Sequence, residues 1–235
     1  MNKERHIIIS GIGRGIGKSL AEVFGEDGWN VWGAARTEKD LDTLQVIWEG
    51  RQYPGQLSLF QGDVSDQGVV QDWVRDVQQR TKQVQVVVHN VAQFEMGKLI
   101  EADGATLRNF IAVNALSAHY LTRALLPLLT ATPGSHMFTI GSVSTTDWPA
   151  PMSAYVLSKQ LLEAWHQQIR KELQPLDVAT TLIRPGATLT SSWDGVAVDP
   201  ETLLTPEQVA NEVWRIVNYP GRADFETITI RPRAL

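Results

Sequence analysis

Short apolar runs, rich in β-branched residues, alternate with helical patterns along most of the chain, and this alternation limits the fold more than any other feature. The runs cover residues 6–9, 30–34, 57–61, 84–89, 136–140, 178–183 and 227–230. Helical patterns occupy 15–27, 38–48, 67–80, 105–129, 153–173 and 206–218. Strands that are apolar throughout and separated by helices belong to a parallel sheet covered on both faces. Their connections must be right-handed crossovers. The expected product is an α/β fold with a doubly wound parallel sheet of about seven strands and helices on both faces.

Such Rossmann-type sheets bind ligands beyond the carboxyl ends of their strands. With 235 residues, 43% of them hydrophobic, the chain suits a single domain over residues 1–235. A net charge of −5 with no basic run disfavours nucleic acid as a partner. The absence of cysteine excludes disulfides, thiol catalysis and cysteine-ligated zinc. The 5 histidines show no metal-ligand spacing, so no metal site is expected. Only three apolar residues, Ile7 to Ile9, precede a glycine motif, too few for a signal peptide. No run approaches membrane-spanning length, and a cytoplasmic protein is expected.

Unusual residues cluster just after the strands. Ser10-Gly11-Ile12-Gly13-Arg14-Gly15-Ile16-Gly17 joins the first strand to the first helix. Glycines there permit a tight turn and a close backbone approach to a pyrophosphate, and the helix N-terminus favours its charge. A purely structural turn would look similar. Arg36 ends the second strand, where an acid would suit a ribose 2′-hydroxyl and an arginine suits a 2′-phosphate. Arg14 can reach the same region, and together they favour NADP over NAD; the competing reading is two surface arginines. Tyr155 and Lys159 are four apart on a predicted helix and share one face. They could be a proton donor and its tuning cation, or a surface pair in which the lysine covers the ring. An ammonium about 4 Å away would stabilise a phenolate by about 4 kcal/mol, roughly three pKa units. That would bring the phenol towards neutrality.

The glycine turn resembles the TGxxxGxG segment of the short-chain dehydrogenase/reductase family, with Ser10 in place of threonine. The resemblance continues at successive strand ends over about residues 5–215. Asp63-Val64 falls where the family contacts adenine. Asn90-Val91-Ala92 falls at the family's NNAG segment, with Val-Ala replacing Ala-Gly. Ser142 and Tyr155-Val-Leu-Ser-Lys159 match its serine and YxxxK, and Asn114 its fourth catalytic position. Pro185-Gly186 with Thr190 resembles PGxxxT. The segment 228–232 departs from the family by lacking its usual glycine pair.

The resemblance implies a catalytic set of Asn114, Ser142, Tyr155 and Lys159. Tyr155 would be the general acid/base and Ser142 would hold the substrate oxygen. Lys159 would tune Tyr155 and bind the nicotinamide ribose, and Asn114 would hold water and the Lys159 side chain in a proton relay. The alternative for Asn114 is a buried amide bonding backbone across a helix kink. The implied cofactor-binding set is Gly11, Arg14, Gly15, Ile16, Gly17, Arg36, Asp63, Val64, Asn90, Val91, Ala92, Tyr155, Lys159, Pro185, Gly186 and Thr190, with NADP as cofactor.

Trp148 and Trp193 lie in loops after these strands and are expected to line a substrate pocket or to cap the core. His89, at a strand end, is expected beside the cofactor. Residues 188–205 are expected to cover the substrate; they contain no Lys or Arg, which favours a partly apolar carbonyl compound or its alcohol over a phosphorylated one. Arg184 is expected to pair with a nearby acid rather than with a substrate carboxylate. Leu116, Tyr120, Leu161, Leu162 and Trp165 exceed what one sheet face needs, so a homodimer or homotetramer is expected. The function so read is NADP(H)-dependent hydride transfer to or from a small carbonyl or alcohol. A protein of the same fold that binds NADP as a regulator or scaffold, without turnover, is the alternative. An epimerase or dehydratase of related fold would need a larger substrate region than the stretch after Thr190 offers.

Overall fold

A computed structural model describes residues 4–221 and 223–233. The ends of the expected 1–235 domain, residues 1–3 and 234–235, lie outside the described residues. All seven apolar runs form strands: β1 (His6–Ser10), β2 (Asn30–Ala35), β3 (Leu57–Gln61), β4 (Val86–His89), β5 (His136–Ile140), β6 (Ala179–Pro185) and β7 (Thr227–Ile230). They join one parallel sheet in the order β3-β2-β1-β4-β5-β6-β7. The order reverses between β1 and β4, and this switch opens a crevice at the carboxyl ends of the strands.

The helices are α1 (Gly15–Glu26), α2 (Glu38–Arg51), α3 (Gln67–Arg80), α4 (Gly104–Ile111), α5 (Ser117–Thr130), α6 (Ser144–Asp147), α7 (Ser153–Leu173) and α8 (Pro206–Val217). Local chemistry sets several starts. The Asp66 carboxylate accepts from the amides of Gly68 and Val69 to begin α3. Thr205 and Gln208 form a capping box at α8, with Pro206 in its first turn.

The alternation of side chains along each strand divides the core. Ile7, Ile9, Val86 and Val88 face Leu20 and Phe24 of α1 and Val209 and Val213 of α8. Ile8 and Val87 face Trp73 and Val74 of α3 and Leu121 and Leu125 of α5. Burial of one such side chain is worth about 2 kcal/mol. A slip of one residue would turn every one of them to the wrong face, so the register is strongly specified.

Two boundaries differ from expectation. Val84 is buried, but its amide donates to Thr132 Oγ1 at 3.0 Å, and β4 starts later, at Val86. The expected helix 105–129 is interrupted. α4 and α5 are separated by a π turn, Ala112–Leu116, with Asn114 at its centre. A π turn inserts a residue without breaking the apolar pattern, so periodicity does not reveal it.

Candidate active site

The glycine turn is tied to β4 before it reaches the cleft. The Ser10 hydroxyl accepts from the amides of Asn90 (3.1 Å) and Val91 (3.3 Å). The Asn90 side-chain amide donates to the carbonyls of Ser10 (3.1 Å) and Gly11 (2.9 Å). Ser10, which stands where the family has threonine, thus has a defined role through its hydroxyl. Gly11 has φ +72°, and a Cβ there would lie 2.9 Å from Val91 Cα. Arg14 precedes α1 without a side-chain capping bond, so the first amides of the helix keep donors available at the cleft edge.

A cleft of about 510 Å³ runs along the carboxyl ends of β1 to β6. Gly11, Arg14, Gly15, Ile16, Arg36, Asp63, Val64, Asn90, Val91, Ala92, Pro185, Gly186 and Thr190 all line it, together with Ser142, Tyr155, Lys159 and Trp193. The structure thus gathers residues from six strand ends into one concavity of the size that cofactor sites have. A narrow glycine-walled turn, an open helix N-terminus and two exposed arginines fit an elongated anionic dinucleotide.

At one end Arg36 pairs with Asp63 at 3.7 Å, and both side chains are about half exposed. Such a pair is worth at most about 1 kcal/mol, so Arg36 can turn to a phosphate at little cost. Asp63 is held by the amide (2.9 Å) and hydroxyl (2.7 Å) of Ser65. These bonds and Arg36 keep its carboxyl below the usual range despite burial.

At the other end, Ser142 follows β5 while Tyr155 and Lys159 face it from α7. The Ser142 Oγ accepts from Ser144 Oγ (2.8 Å) and from the Ser144 amide (3.1 Å), so its own hydroxyl proton is left to donate elsewhere. Lys159 is buried and donates to the Ile140 carbonyl at 2.8 Å. Burial pushes its ammonium down to about 8, opposed by the Glu163 carboxylate. Burial pushes the Tyr155 phenol up to about 12, with Glu163 acting in the same direction and the Ser142 hydroxyl against it.

Several sequence-based expectations are corrected. Lys159 does not bring the Tyr155 phenol towards neutrality. Its ammonium is 5.9 Å from the ring centroid and is engaged by a carbonyl, so desolvation prevails. Asn114 does not bond Lys159 through its side chain. Its amide accepts from the Gln93 N–H (2.6 Å) and donates to the Gln93 carbonyl (3.0 Å) and to Ser158 Oγ (2.8 Å). It therefore ties the loop after β4 to α7 from the centre of the helix interruption. Gly17 does not line the cleft; it allows α1 to pack on the turn, since a Cβ there would lie 2.1 Å from the Gly11 carbonyl oxygen. Trp148 is 62% exposed and does not line the cleft, because it ends α6 in the left-handed region (φ +49°) and the chain carries it outward. His89 is buried away from the cleft and bonds Thr122 Oγ1 at 2.7 Å.

Arg184 does pair with an acid, Glu163, at 2.7 Å. Trp193 does line the cleft, with its indole N–H donating to the Thr188 carbonyl at 3.0 Å. Phe94 was missed. It meets the Tyr155 ring edge-on at 5.1 Å and lies 6.1 Å from Trp193, forming an aromatic wall. Its position soon after Asn90-Val91-Ala92 was the only available signal. Glu163 was also missed, although its place one turn beyond Lys159 marks the same helix face.

Among the described residues, no helix is long and apolar enough to cross a membrane. The chain matches the family model for short chain dehydrogenases over residues 5–199. A curated relative from Staphylococcus epidermidis, described as an uncharacterized oxidoreductase, is 23% identical over 98% of both chains. The fold superposes on an alcohol dehydrogenase from the archaeon Thermococcus sibiricus complexed with 5-hydroxy-NADP, with TM-score 0.89, 24% identity and 98% and 97% coverage. It also superposes on a short chain dehydrogenase from Burkholderia cenocepacia in complex with NADP, with TM-score 0.88, 23% identity and 97% and 96% coverage.

Proposed function

The chain belongs to the short-chain dehydrogenase family, and from that premise we propose that it is an NADP(H)-dependent oxidoreductase acting on a small, partly apolar carbonyl compound or the corresponding alcohol. One observation carries the reading: Ser142, Tyr155 and Lys159 share one wall of a cleft whose other end presents Arg14 and Arg36. The 5-hydroxy-NADP bound to one of the structural neighbours described above and the NADP bound to the other support the cofactor assignment.

The bound cofactor supplies or accepts the hydride. The glycine turn and α1 amides would hold its diphosphate, and Arg14 and Arg36 would hold the 2′-phosphate. In the reductive direction the Tyr155 Oη–H donates its proton to the substrate oxygen. A phenol raised to about 12 is fully protonated at neutral pH and ready to donate. The Ser142 O–H, left free by the two bonds from Ser144, donates to the same oxygen and stabilises its developing charge. Lys159 would hold the nicotinamide ribose with the N–H groups not engaged by Ile140. Asn114 contributes by fixing the Gln93 backbone beside the cleft.

Phe94, Met152 and Trp193 give the substrate end apolar walls. The segment 188–205, of which Thr188, Thr190 and Ser191 to Trp193 line the cleft, would cover this end. Its base is closed where the Leu189 amide donates to the Leu204 carbonyl (2.7 Å) and the Leu204 amide to the Ala187 carbonyl (2.8 Å). Arg184 is committed to Glu163, so a substrate carboxylate would find no partner there. The test is NADPH oxidation over a panel of aryl and alicyclic ketones, each matched with a carboxylate-bearing analogue. The uncharged ketones should give the higher kcat/KM. A preference of about tenfold or more for the charged analogues would reject the substrate assignment. NADPH binding with no turnover of any carbonyl would instead favour a regulatory role.

A further inference from the structure

Behind the wall formed by Ser142, Tyr155 and Lys159 lies a buried carboxylate. Glu163 is 6% exposed. Its Oε2 accepts from Nη2 (2.7 Å) and Nε (2.9 Å) of Arg184. Its Oε1 accepts from the Thr145 hydroxyl (3.0 Å) and, more weakly, from the Ser142 backbone N–H (3.4 Å). These donors come from different elements. Arg184 is the residue before Pro185-Gly186, Ser142 lies just after β5, Thr145 belongs to α6, and Glu163 is one turn from Lys159 on α7. Four donors match the lone-pair sites of an ionised carboxylate. The sequence also leaves room for it: a Cβ at Gly141 would lie 2.5 Å from Glu163 Oε1.

Packing alone does not require charge at such a place, because a buried ion pair is often no more stabilising than apolar side chains of the same volume. What distinguishes this pair is the company it keeps. One carboxylate joins the three segments that supply the proposed substrate hydroxyl, the helix of Tyr155 and Lys159, and the Pro185-Gly186 edge of the cleft.

We propose that Glu163 is a positioning residue: its carboxylate, oriented by Arg184, ties the Ser142 backbone and the Thr145 hydroxyl to the helix that carries Tyr155 and Lys159. Lys159 is otherwise desolvated, and Glu163 is the neighbour that favours its charged form. The groups around Glu163 are few. Lys159, Tyr155 and His166 share its helix, and Arg184 comes from β6. β5 and the turn after it contribute the neutral hydroxyls of Thr139 and Ser142, and α6 those of Ser144 and Thr145, while Asp147 of α6 is bound to Arg231. The neutral form of His166 is favoured by burial and by Arg170 and Arg184.

The test compares Glu163→Gln with the double variant Glu163→Gln/Arg184→Met, which removes both charges at nearly constant volume. Lys159 ionisation is followed by NMR of its Cε carbon, assigned with Lys159→Met. In Glu163→Gln the Lys159 midpoint should fall by about one pH unit. With the best ketone, kcat should fall about tenfold or more while the KM for NADPH changes less than about threefold. The double variant should regain the wild-type thermal midpoint but keep the low kcat and the lowered Lys159 midpoint. An unchanged Lys159 midpoint with unchanged kcat in Glu163→Gln would overturn the proposal. So would full recovery of rate in the double variant, because the pair would then be structural only. Should Glu163→Gln fail to fold, the double variant decides by the same two measurements. The inference rests on the oxidoreductase reading only for its kinetic arm. If wild-type protein reduces no ketone, that reading fails and the Lys159 midpoint alone decides the role of Glu163.

Discussion

Tyr155 sits where its neutral form is favoured, half-buried against Phe94 and nearer in effect to a carboxylate than to a free cation. Replacement by Phe keeps the ring and its packing and removes only the transferable proton. Tyr155→Phe should therefore lose about a hundredfold or more in kcat, with NADPH affinity nearly unchanged by fluorescence titration. A variant keeping more than about a tenth of the rate would show that another group donates the proton. Arg36 makes only a long, half-exposed contact with Asp63. A charge-assisted bond to a 2′-phosphate is worth about 1.5–3 kcal/mol, so NADP should bind at least about tenfold tighter than NAD. Arg36→Asp should reverse that order in calorimetry. Equal affinities in the wild type would exclude NADP preference.

At the scale of elements, the cofactor turn depends on how closely α1 approaches β1 and β4. A Cβ on Gly17 would lie 2.1 Å from the Gly11 carbonyl oxygen and 2.6 Å from Asn90 Nδ2. Backbone cannot yield cheaply there. Gly17→Ala should cost about 2–3 kcal/mol in urea unfolding and weaken NADPH binding, although Gly17 does not line the cleft. Unchanged stability would mean that α1 can shift on the sheet. The π turn between α4 and α5 matters in a similar way. It places the Asn114 amide against the Gln93 backbone and Ser158, and so links the strand-end loop after β4 to α7.

At the scale of the whole molecule, the buried His89 and His166 and the partly buried His136 make stability depend on pH. Burial lowers His89 to about 3, and His136 and His166 to about 4, from 6.5. Between about pH 6.5 and 4 the unfolded chain takes up protons that the folded chain refuses. Their contribution is therefore fully present above 6.5 and is lost as pH falls through this window, by up to roughly 4 kcal/mol per pH unit for the three together. The urea midpoint should drop sharply between pH 7 and 5.5; a flat profile would show that the histidines gain partners on protonation. Assembly belongs to this scale too. Leu116, Leu157 and Leu161 are 38%, 39% and 43% exposed beside α5 and along α7, whereas Leu162, expected to be spare, is buried in the chain's own core. Light scattering at micromolar concentration should give a dimer or tetramer, and Leu161→Glu should dissociate it. A monomeric wild type would mean that these leucines are merely exposed.

The alternation of strands and helices, and with it the sheet and the crevice at its carboxyl edge, was determined by the sequence alone, because burial on two faces imposes a pattern that composition cannot hide. The positions of Gly11, Tyr155 and Lys159 were legible for a related reason, since turns and helix faces have fixed local spacings, whereas Ser142 was legible through its resemblance to the family's serine. The tertiary structure decided what depends on contacts between distant segments. It joined Glu163 to Arg184 and Ser142, put Phe94 beside Tyr155, turned Trp148 outward and inserted the π turn at Asn114. It also reversed the expected shift of Tyr155, because desolvation and the direction of a lysine side chain are properties of the packed interior, where charges are either partnered or costly.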